Sequence, residues 1–187
     1  GFAKPGTNIV RRSRYWVPLL ALYSGMRMGE ILQLTPGHIR RSANGTDYIV
    51  LTRDMVLKSN AAEREIPIHP ELVRLGFLDW VEQNCNDSGE LLFADVPPGK
   101  HGYRSDTFTK RFATALRKID IAPARKSKLS FHSFRHNFRD ALSETGAAEE
   151  IIEEVCGWSR GKRTGRRYGT GLSADRLKRF VDQVSYD

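Results

Sequence analysis

Residues 128–139 read Lys-Leu-Ser-Phe-His-Ser-Phe-Arg-His-Asn-Phe-Arg, so aromatic and basic side chains recur at helical spacing. At about 100° per residue, Phe131, Phe134 and Phe138 fall on one face of a helix. The neighbouring face carries four basic or ionisable side chains, which are His132, Arg135, His136 and Arg139. Ser130 is of the residue type that caps helix N-termini. The stretch therefore predicts a helix that phenylalanines anchor and that presents cationic groups beside them.

The positive charge lies at the electrostatically unfavourable end of this helix. A helix N-terminus already has partial positive charge and unpaired N–H groups, so His132 and Arg135 in its first turn carry a local cost. A bound phosphate would offset this cost, whereas a purely structural role leaves it unexplained. We interpret the helix start as an anion site, and a surface helix that happens to be basic is the alternative.

The charge distribution along the chain also points to an anionic partner. The 187 residues carry a net charge of +8, yet residues 1–99 sum to zero. Residues 100–139 carry net +9 and residues 157–187 net +5, on either side of an acidic segment of net −6 at 140–156. A polyanion is expected where the two basic blocks meet, because Lys and Arg clusters release counterions from a phosphate backbone. A solvated, solubilising surface explains the charge alone equally well.

Composition and periodicity predict one mainly α-helical domain with a small antiparallel β-sheet. The chain is 40% hydrophobic and 28% charged, which is typical of a soluble globular protein. No apolar run approaches the roughly 20 residues that span a bilayer, and the start has no signal-peptide pattern. We therefore expect an intracellular protein without membrane contact. Cys85 and Cys156 lack metal-ligand spacing, so neither a disulfide framework nor a zinc site is expected.

The helical and alternating patterns give approximate element positions. Helices are predicted over residues 13–23, 26–34, 71–84, 105–118, 147–156 and 173–184, besides the stretch quoted above, and strands over 48–51, 55–57 and 65–68. The polar residues 59–62 are predicted to form a hairpin turn, so Lys58 would lie at a strand end beside a loop.

Five short motifs carry residue types that suit phosphate chemistry. In chain order they are Ser-Gly-Met-Arg-Met-Gly-Glu (24–30), Leu-Lys-Ser (57–59) followed by Arg-Glu-Ile-Pro-Ile-His-Pro-Glu (64–71), His-Ser-Phe-Arg-His (132–136), Cys-Gly-Trp (156–158) and Arg-Tyr (167–168). This series resembles the tyrosine recombinases, the phage integrase family: the first arginine motif, the lysine hairpin, the His-x-x-Arg box, the His-or-Trp position and the nucleophile motif. Each motif alone is weak, whereas the ordered set is strong. The resemblance implies the integrase catalytic-domain fold, of the DNA breaking–rejoining enzyme type.

The resemblance gives each catalytic residue a role that its chemistry allows. Arg27 and Arg135 would contact the non-bridging oxygens of a DNA phosphodiester and stabilise its transition state. Tyr168 would attack phosphorus and form a 3′-phosphotyrosine, with nearby cations helping it to ionise. Lys58 is the expected general acid for the 5′-oxygen, and His132 would assist as acid or base.

The remaining predicted site residues bind rather than move protons. Trp158 can donate one indole N–H to a phosphate oxygen. Six further residues are expected to contact DNA: Arg139, Lys126, Lys128, Lys162, Arg163 and Arg166. No cofactor, metal or ATP is expected. Structural alternatives stay open, such as a surface pair of Arg27 with Glu30, and Tyr186 is the rival nucleophile.

We predict an enzyme for site-specific DNA recombination or integration in a phage or other mobile element. A type IB topoisomerase-like relaxing enzyme and a non-catalytic DNA-binding module are the alternatives. The expected partner is double-stranded DNA, bound by a homo-tetramer in the bacterial cytoplasm at the nucleoid, with a monomer as the alternative for the isolated domain. Residues 1–187 would be a single catalytic domain without the family's N-terminal core-binding domain. The last helix, 173–184, resembles the element that family members pack on a neighbouring protomer, or it folds back on its own domain.

Overall fold

The computed structural model describes residues 12–52, 55, 63–84, 89–119, 129–158 and 172–186. Within them the helices are α1 (Ser13–Ser24), α2 (Met28–Ile31), α3 (Pro70–Arg74), α4 (Phe77–Asn84), α5 (Arg104–Lys118), α6 (His132–Glu144), α7 (Glu149–Cys156) and α8 (Ala174–Val181), with a 3-10 turn at Pro36–His38. The strands are β1 (Ile39–Arg41), β2 (Asp47–Leu51) and β3 (Arg64–Pro67). The predicted fold class, mainly helical with a small antiparallel sheet, is confirmed.

The sheet is antiparallel in the order β1-β2-β3. Ile39 pairs with Ile49, and Leu51 pairs with Arg64. In β3 the side chains of Arg64 and Ile66 are buried, whereas that of Glu65 between them is partly exposed. The alternation of a strand thus turns Arg64, together with Ile66, towards the core. Of the predicted strand 55–57, Met55 is described and the rest lies outside the described residues.

Helix α6 is anchored as its periodicity predicts. Phe138 is fully buried and Phe131 is 7% exposed, while Phe134 is half-buried against the same core. The Phe131 ring makes edge contacts with Phe112 at 5.3 Å and with Phe108 at 5.8 Å between ring centroids. The helix begins at His132 without a side-chain cap, and the predicted cap Ser130 instead donates its backbone N–H to Ser133 Oγ at 3.2 Å.

Two predicted helices differ from the structure by more than a few residues at their ends. The helix predicted over 26–34 is confined to Met28–Ile31, because Arg27 has an extended backbone and donates its N–H to Glu30 Oε2 at 2.8 Å. The helix predicted over 71–84 is divided into α3 and α4 by Gly76, whose φ of 84° is left-handed and ends α3. Across the described part of the chain, no helix is both long and apolar enough to cross a membrane.

The C-terminal helix packs on its own domain. The backbone N–H of Ala174, at the start of α8, donates to Glu65 Oε2 at 2.8 Å, and Asp175 accepts from Ser42 Oγ at 2.7 Å. Just before the helix, Leu172 donates its N–H to Glu154 Oε1 of α7 at 3.2 Å. These contacts place α8 against β3 and the β1–β2 turn.

His69 connects the chain end to α3. Its Nδ1 accepts the Glu71 backbone N–H at 3.0 Å, so Nε2 carries the proton and donates to the Val184 carbonyl at 2.9 Å. The ring is 6% exposed and stacks on Tyr23 at 4.7 Å between centroids. Burial lowers the pKa of His69 from its ordinary value of 6.5, although the Val184 carbonyl and nearby carboxylates act the other way.

We expect His69 to make the fold acid-sensitive. The unfolded chain protonates this side chain below about pH 6.5 while the folded chain keeps it neutral, so its contribution to stability falls as pH drops below that value. The Tm of the wild type should therefore fall more steeply between about pH 7.5 and about pH 5.5 than that of His69→Gln, which retains a donor for Val184. Thermal unfolding followed by circular dichroism measures both slopes, and equal slopes would contradict this role.

Gly25 lets α1 approach α6 closely. It ends α1 with a left-handed φ of 62°, and a Cβ added there would lie 2.5 Å from Phe138 Cδ1. Gly45 is a matched control because its φ of 83° is also left-handed, but a Cβ there meets nothing within 4 Å.

We expect Gly25→Ala to destabilise the fold more than Gly45→Ala. Both variants incur the left-handed backbone cost of about 1–2 kcal/mol, and Gly25→Ala adds an overpacking cost of about 1–3 kcal/mol by displacing Phe138. Urea denaturation gives both free energies of unfolding. Equal losses would show that the contact between α1 and α6 tolerates a methyl group.

Candidate active site

A cleft of about 300 Å³ opens between α2, α5 and α6. Its walls are formed by Met26, Arg27, Met28, Ser105, Thr109, Ser130, Phe131, His132 and Arg135. Three predicted catalytic residues, Arg27, His132 and Arg135, therefore share one cleft although they come from distant parts of the sequence. His132 is exposed at the start of α6.

Arg27 is both an ion-pair partner and a cleft residue. Its Nη1 lies 2.8 Å from Glu30 Oε1, so the ion pair between Arg27 and Glu30 that the sequence left open as an alternative is formed. Its Nη2 donates to the Gly157 carbonyl at 3.2 Å, and its side chain remains 24% exposed. A guanidinium carries five N–H donors, so donors remain for a ligand in the cleft.

Arg135 is buried rather than displayed on the helix surface. It is 1% exposed, and its terminal nitrogens donate to the carbonyls of Gly25 and Cys156. Burial, the largest influence, lowers the pKa of Arg135 to about 10, so the side chain stays charged at neutral pH. Each terminal nitrogen carries a second N–H, and Nε has no hydrogen-bond partner among the residues that the structure describes. Donors of Arg135 therefore also remain for an anion.

The C-terminus of α7 binds three guanidinium groups on consecutive carbonyls. Arg64 Nε donates to the Val155 carbonyl at 2.8 Å, Arg135 to the Cys156 carbonyl, and Arg27 to the Gly157 carbonyl. The last carbonyls of a helix lack intrahelical partners and lie at the negative end of the helix dipole. This helix end therefore compensates positive charge beside the cleft.

Glu30 joins two of these arginines from the other side. Its carboxylate is 3% exposed, and it bonds Arg27 at 2.8 Å and Arg64 Nη2 at 3.0 Å. Burial alone would raise the pKa of Glu30, but Arg64 and Arg27 outweigh it, so the pKa lies below its ordinary value. Glu30 is therefore an anion in the folded protein at neutral pH.

Trp158 lies over the cationic side chains of α6. Its ring centroid is 5.1 Å from Arg135 Cζ and 5.4 Å from Arg139 Cζ, which are cation–π distances. Its backbone N–H donates to the Glu153 carbonyl at 3.0 Å, so the end of α7 fixes its position. Trp158 thus contacts a predicted catalytic arginine directly.

A match to a family model decides the relationship of this chain to known proteins. The model, described as the phage integrase family, matches residues 9–172. The chain belongs to the phage integrase family. The predicted family is thereby confirmed, while the comparison with curated proteins gives no match.

Solved integrase structures share the fold. The Tn1549 transposon integrase, in complex with circular intermediate DNA, is 18% identical with a TM-score of 0.58, over 92% of this chain and 59% of that one. The integrase from mycobacterium phage Brujita is 20% identical with a TM-score of 0.58, over 90% of this chain and 50% of that one. At these identities the likeness establishes the fold, and this chain spans only part of the length of either integrase.

Of the residues predicted to contact DNA, Arg139 is among those that the structure describes. Arg139 lies 3.5 Å from Glu149 and 3.4 Å from Asp140, and its side chain is 28% exposed, so its contact with DNA stays a prediction. The other predicted site residues lie outside the described residues, and their roles stay predictions: Lys58, Tyr168, Lys126, Lys128, Lys162, Arg163 and Arg166.

The rival nucleophile of the integrase assignment is engaged elsewhere. Tyr186 donates its hydroxyl to the Leu22 carbonyl, and its ring packs on Tyr23 at 5.5 Å between centroids. Burial raises the pKa of Tyr186 above its ordinary value of 10.0. A bonded hydroxyl that ionises with difficulty is a poor nucleophile, so the structure disfavours Tyr186.

The sequence interpretation of this integrase site missed Arg64 and underrated Glu30. Arg64 was noted only as part of the hairpin motif. Arg64 and Ile66 are two residues apart and lie on the same face of a strand, so the sequence did contain a signal that Arg64 is buried. Glu30 was weighed only as a surface partner of Arg27, because nothing local shows that a second arginine reaches it from β3.

We expect Glu30→Gln to destabilise the fold by about 3–5 kcal/mol, because it leaves buried guanidinium charge without its carboxylate. Glu71→Gln is the matched control, since Glu71 also pairs with an arginine three residues on, at 2.6 Å, but on the surface. The control should leave the free energy of unfolding nearly unchanged. Urea denaturation of both variants near neutral pH measures the difference, and equal effects would argue against a buried ionic role for Glu30.

Proposed function

We propose that this chain is the catalytic domain of a site-specific recombinase that cleaves and rejoins double-stranded DNA through a 3′-phosphotyrosine. The observation that carries the proposal is the convergence of Arg27, Arg135 and His132 on one cleft. Both arginines keep N–H donors beyond those bonded to carbonyls and Glu30, which suits a tetrahedral anion with several oxygens.

The proposed reaction uses charge stabilisation and proton transfer. A DNA phosphodiester binds in the cleft, where Arg27 and Arg135 stabilise the negative charge that builds on its non-bridging oxygens. Tyr168 gives its phenolic proton to His132, and its oxygen attacks phosphorus. The bond from phosphorus to the 5′-oxygen breaks, and Lys58 gives that oxygen a proton. The 5′-hydroxyl of another strand then reverses these steps and releases Tyr168. The phosphotyrosine conserves the bond energy, so the cycle needs no ATP.

The neighbouring side chains of the cleft have supporting roles in this proposal. His132 is exposed at the cleft wall and assists proton transfer there. Trp158 stacks over Arg135 and offers an indole N–H to the phosphate.

The natural substrate and setting are part of the proposal. The Tn1549 integrase, which shares this fold, is in complex with circular intermediate DNA, and this supports duplex DNA of a phage or other mobile element as the substrate. The net charge of +8 also favours DNA. We propose a homo-tetramer on paired sites in the bacterial cytoplasm, at the nucleoid.

Tyr168→Phe is the test of this function, with Tyr186→Phe as the matched control. Incubating each protein with nicked suicide duplexes of randomised sequence traps a covalent adduct if cleavage occurs. We expect wild type and Tyr186→Phe to form the adduct and Tyr168→Phe to form none, while all three bind DNA equally in a gel-shift assay. Peptide mapping should locate the adduct on Tyr168.

Three other outcomes would overturn parts of this assignment. An adduct that persists in Tyr168→Phe would identify another nucleophile. Relaxation of supercoiled plasmid without site preference would favour a type IB topoisomerase-like enzyme. DNA binding without any adduct, including in the longer natural chain, would favour a non-catalytic binding module.

A further inference from the structure

Arg64 is a buried cation that the proposed reaction does not use directly. Its side chain is 1% exposed, lies on β3, and is not among the residues that line the cleft. It nevertheless contacts both structures that hold the cleft arginines, namely the Glu30 carboxylate and the end of α7. We propose that Arg64 is a positioning residue that sets the orientation of Arg27 and Arg135 for cleavage, an inference that rests on the proposed function.

The first step of the argument is the sharing of Glu30. Oε1 accepts from Arg27 Nη1 at 2.8 Å and from Arg64 Nη1 at 3.4 Å, whereas Oε2 accepts from Arg64 Nη2 at 3.0 Å and from the Arg27 backbone N–H at 2.8 Å. Arg64 thus makes a two-point contact with the carboxylate, and the Arg27 side chain is left with a one-point contact on Oε1. Without Arg64, Arg27 can fork onto both oxygens, as Arg does with an isolated carboxylate. That change would turn Arg27 away from Gly157 and reduce the donors that it offers to the cleft.

The second step is the position of the α7 carbonyls. Arg64 Nε donates to Val155 at 2.8 Å, next to the carbonyls that receive Arg135 and Arg27. Gly157 has a left-handed φ of 62°, and a Cβ there would lie 2.6 Å from Arg64 Nη1. The guanidinium thus fills the space that a side chain of residue 157 would take. Arg64 therefore fixes the helix end on which both cleft arginines dock.

The third step is the free-energy cost of burying the Arg64 guanidinium group. A buried ion pair is often no more stable than well-packed apolar residues of similar volume, so the stability of β3 does not require an arginine. Burying Arg64 near Arg27 and Arg135 adds like-charge repulsion, which contributes to the lowered pKa of Arg135. A residue that costs stability in this way but fixes two cleft side chains has the properties of a positioning residue.

The test is Arg64→Met, which keeps an unbranched, flexible side chain but removes the guanidinium group with its charge and donors. Arg74→Met is the matched control, because Arg74 also bonds a glutamate, at 2.6 and 2.8 Å, but on the surface. Adduct formation is measured in a single turnover at saturating suicide DNA and is normalised to the folded fraction. We expect about a 100-fold slower rate for Arg64→Met, with DNA affinity within about threefold of wild type and an unchanged control.

A pH profile separates positioning from a loss of stability alone. In Arg64→Met the Glu30 carboxyl loses a neighbouring cation, so its pKa rises and the acidic limb of the rate profile should move to higher pH. Arg64→Lys, which keeps the charge but can donate from only one nitrogen, should recover part of the rate. An unchanged rate and profile in folded Arg64→Met would overturn the proposal, even if the variant unfolds more easily.

A second variant keeps the test decisive even where the first does not fold. If Arg64→Met does not fold, the double variant Glu30→Gln with Arg64→Met removes both buried charges together. Because Glu30 also holds Arg27, the folded double variant is compared with Glu30→Gln alone. A rate equal to that of Glu30→Gln would overturn the proposal, and a rate at least about tenfold slower would support it. If the wild type forms the adduct and substitution of Arg64 leaves the rate unchanged, this inference alone is wrong. If the wild type forms no adduct, the proposed function is overturned as well.

Discussion

The rest of the site depends on the hydrogen bonds that guanidinium groups donate to three consecutive carbonyls, the last two of α7 and that of Gly157, which caps it. Val155, Cys156 and Gly157 receive Arg64, Arg135 and Arg27 in that order, although these arginines lie on β3, on α6 and before α2. Like-charged side chains repel at such proximity unless something negative lies between them. The exposed carbonyls of a helix end provide partial negative charge there, and Glu30 adds a full one. The helix end is thus the element around which the cleft is assembled.

This arrangement explains why α6 needs a firm anchor. Arg135 can reach the carbonyls of Gly25 and Cys156 at once only if α6 lies close to the end of α1 and to the end of α7. Phe138 packs against Gly25, where no side chain intervenes, and thereby sets the first of these distances. The aromatic face of α6 and the glycine at the end of α1 therefore belong to the site as much as to the core. One placement of α6 therefore both buries its phenylalanines and brings Arg135 to the carbonyls that compensate its charge.

The sequence predicted the parts of this structure that depend on local pattern. The periodicity of α6 and its phenylalanine anchors followed from spacing. His132 and Arg135 were singled out by their position at a helix start and Arg27 by the family resemblance, and the structure brings the three to one cleft. The burial of Arg135 did not follow, because the carbonyls that compensate it come from other helices. The pairing of Glu30 with Arg64 was likewise invisible, since it joins residues 34 positions apart. The break at Gly76 was missed because the apolar spacing of α3 continues into α4, and only the left-handed backbone shows the interruption.

The end of α7 couples the two cleft arginines to each other. Trp158 donates its backbone N–H to the Glu153 carbonyl, and Leu172 donates its N–H to Glu154 Oε1 of the same helix at 3.2 Å. Because Arg135 and Arg27 donate to neighbouring carbonyls at this helix end, a displacement of α7 would move both guanidinium groups together. The cleft would therefore gain or lose its two arginines as a unit rather than one at a time.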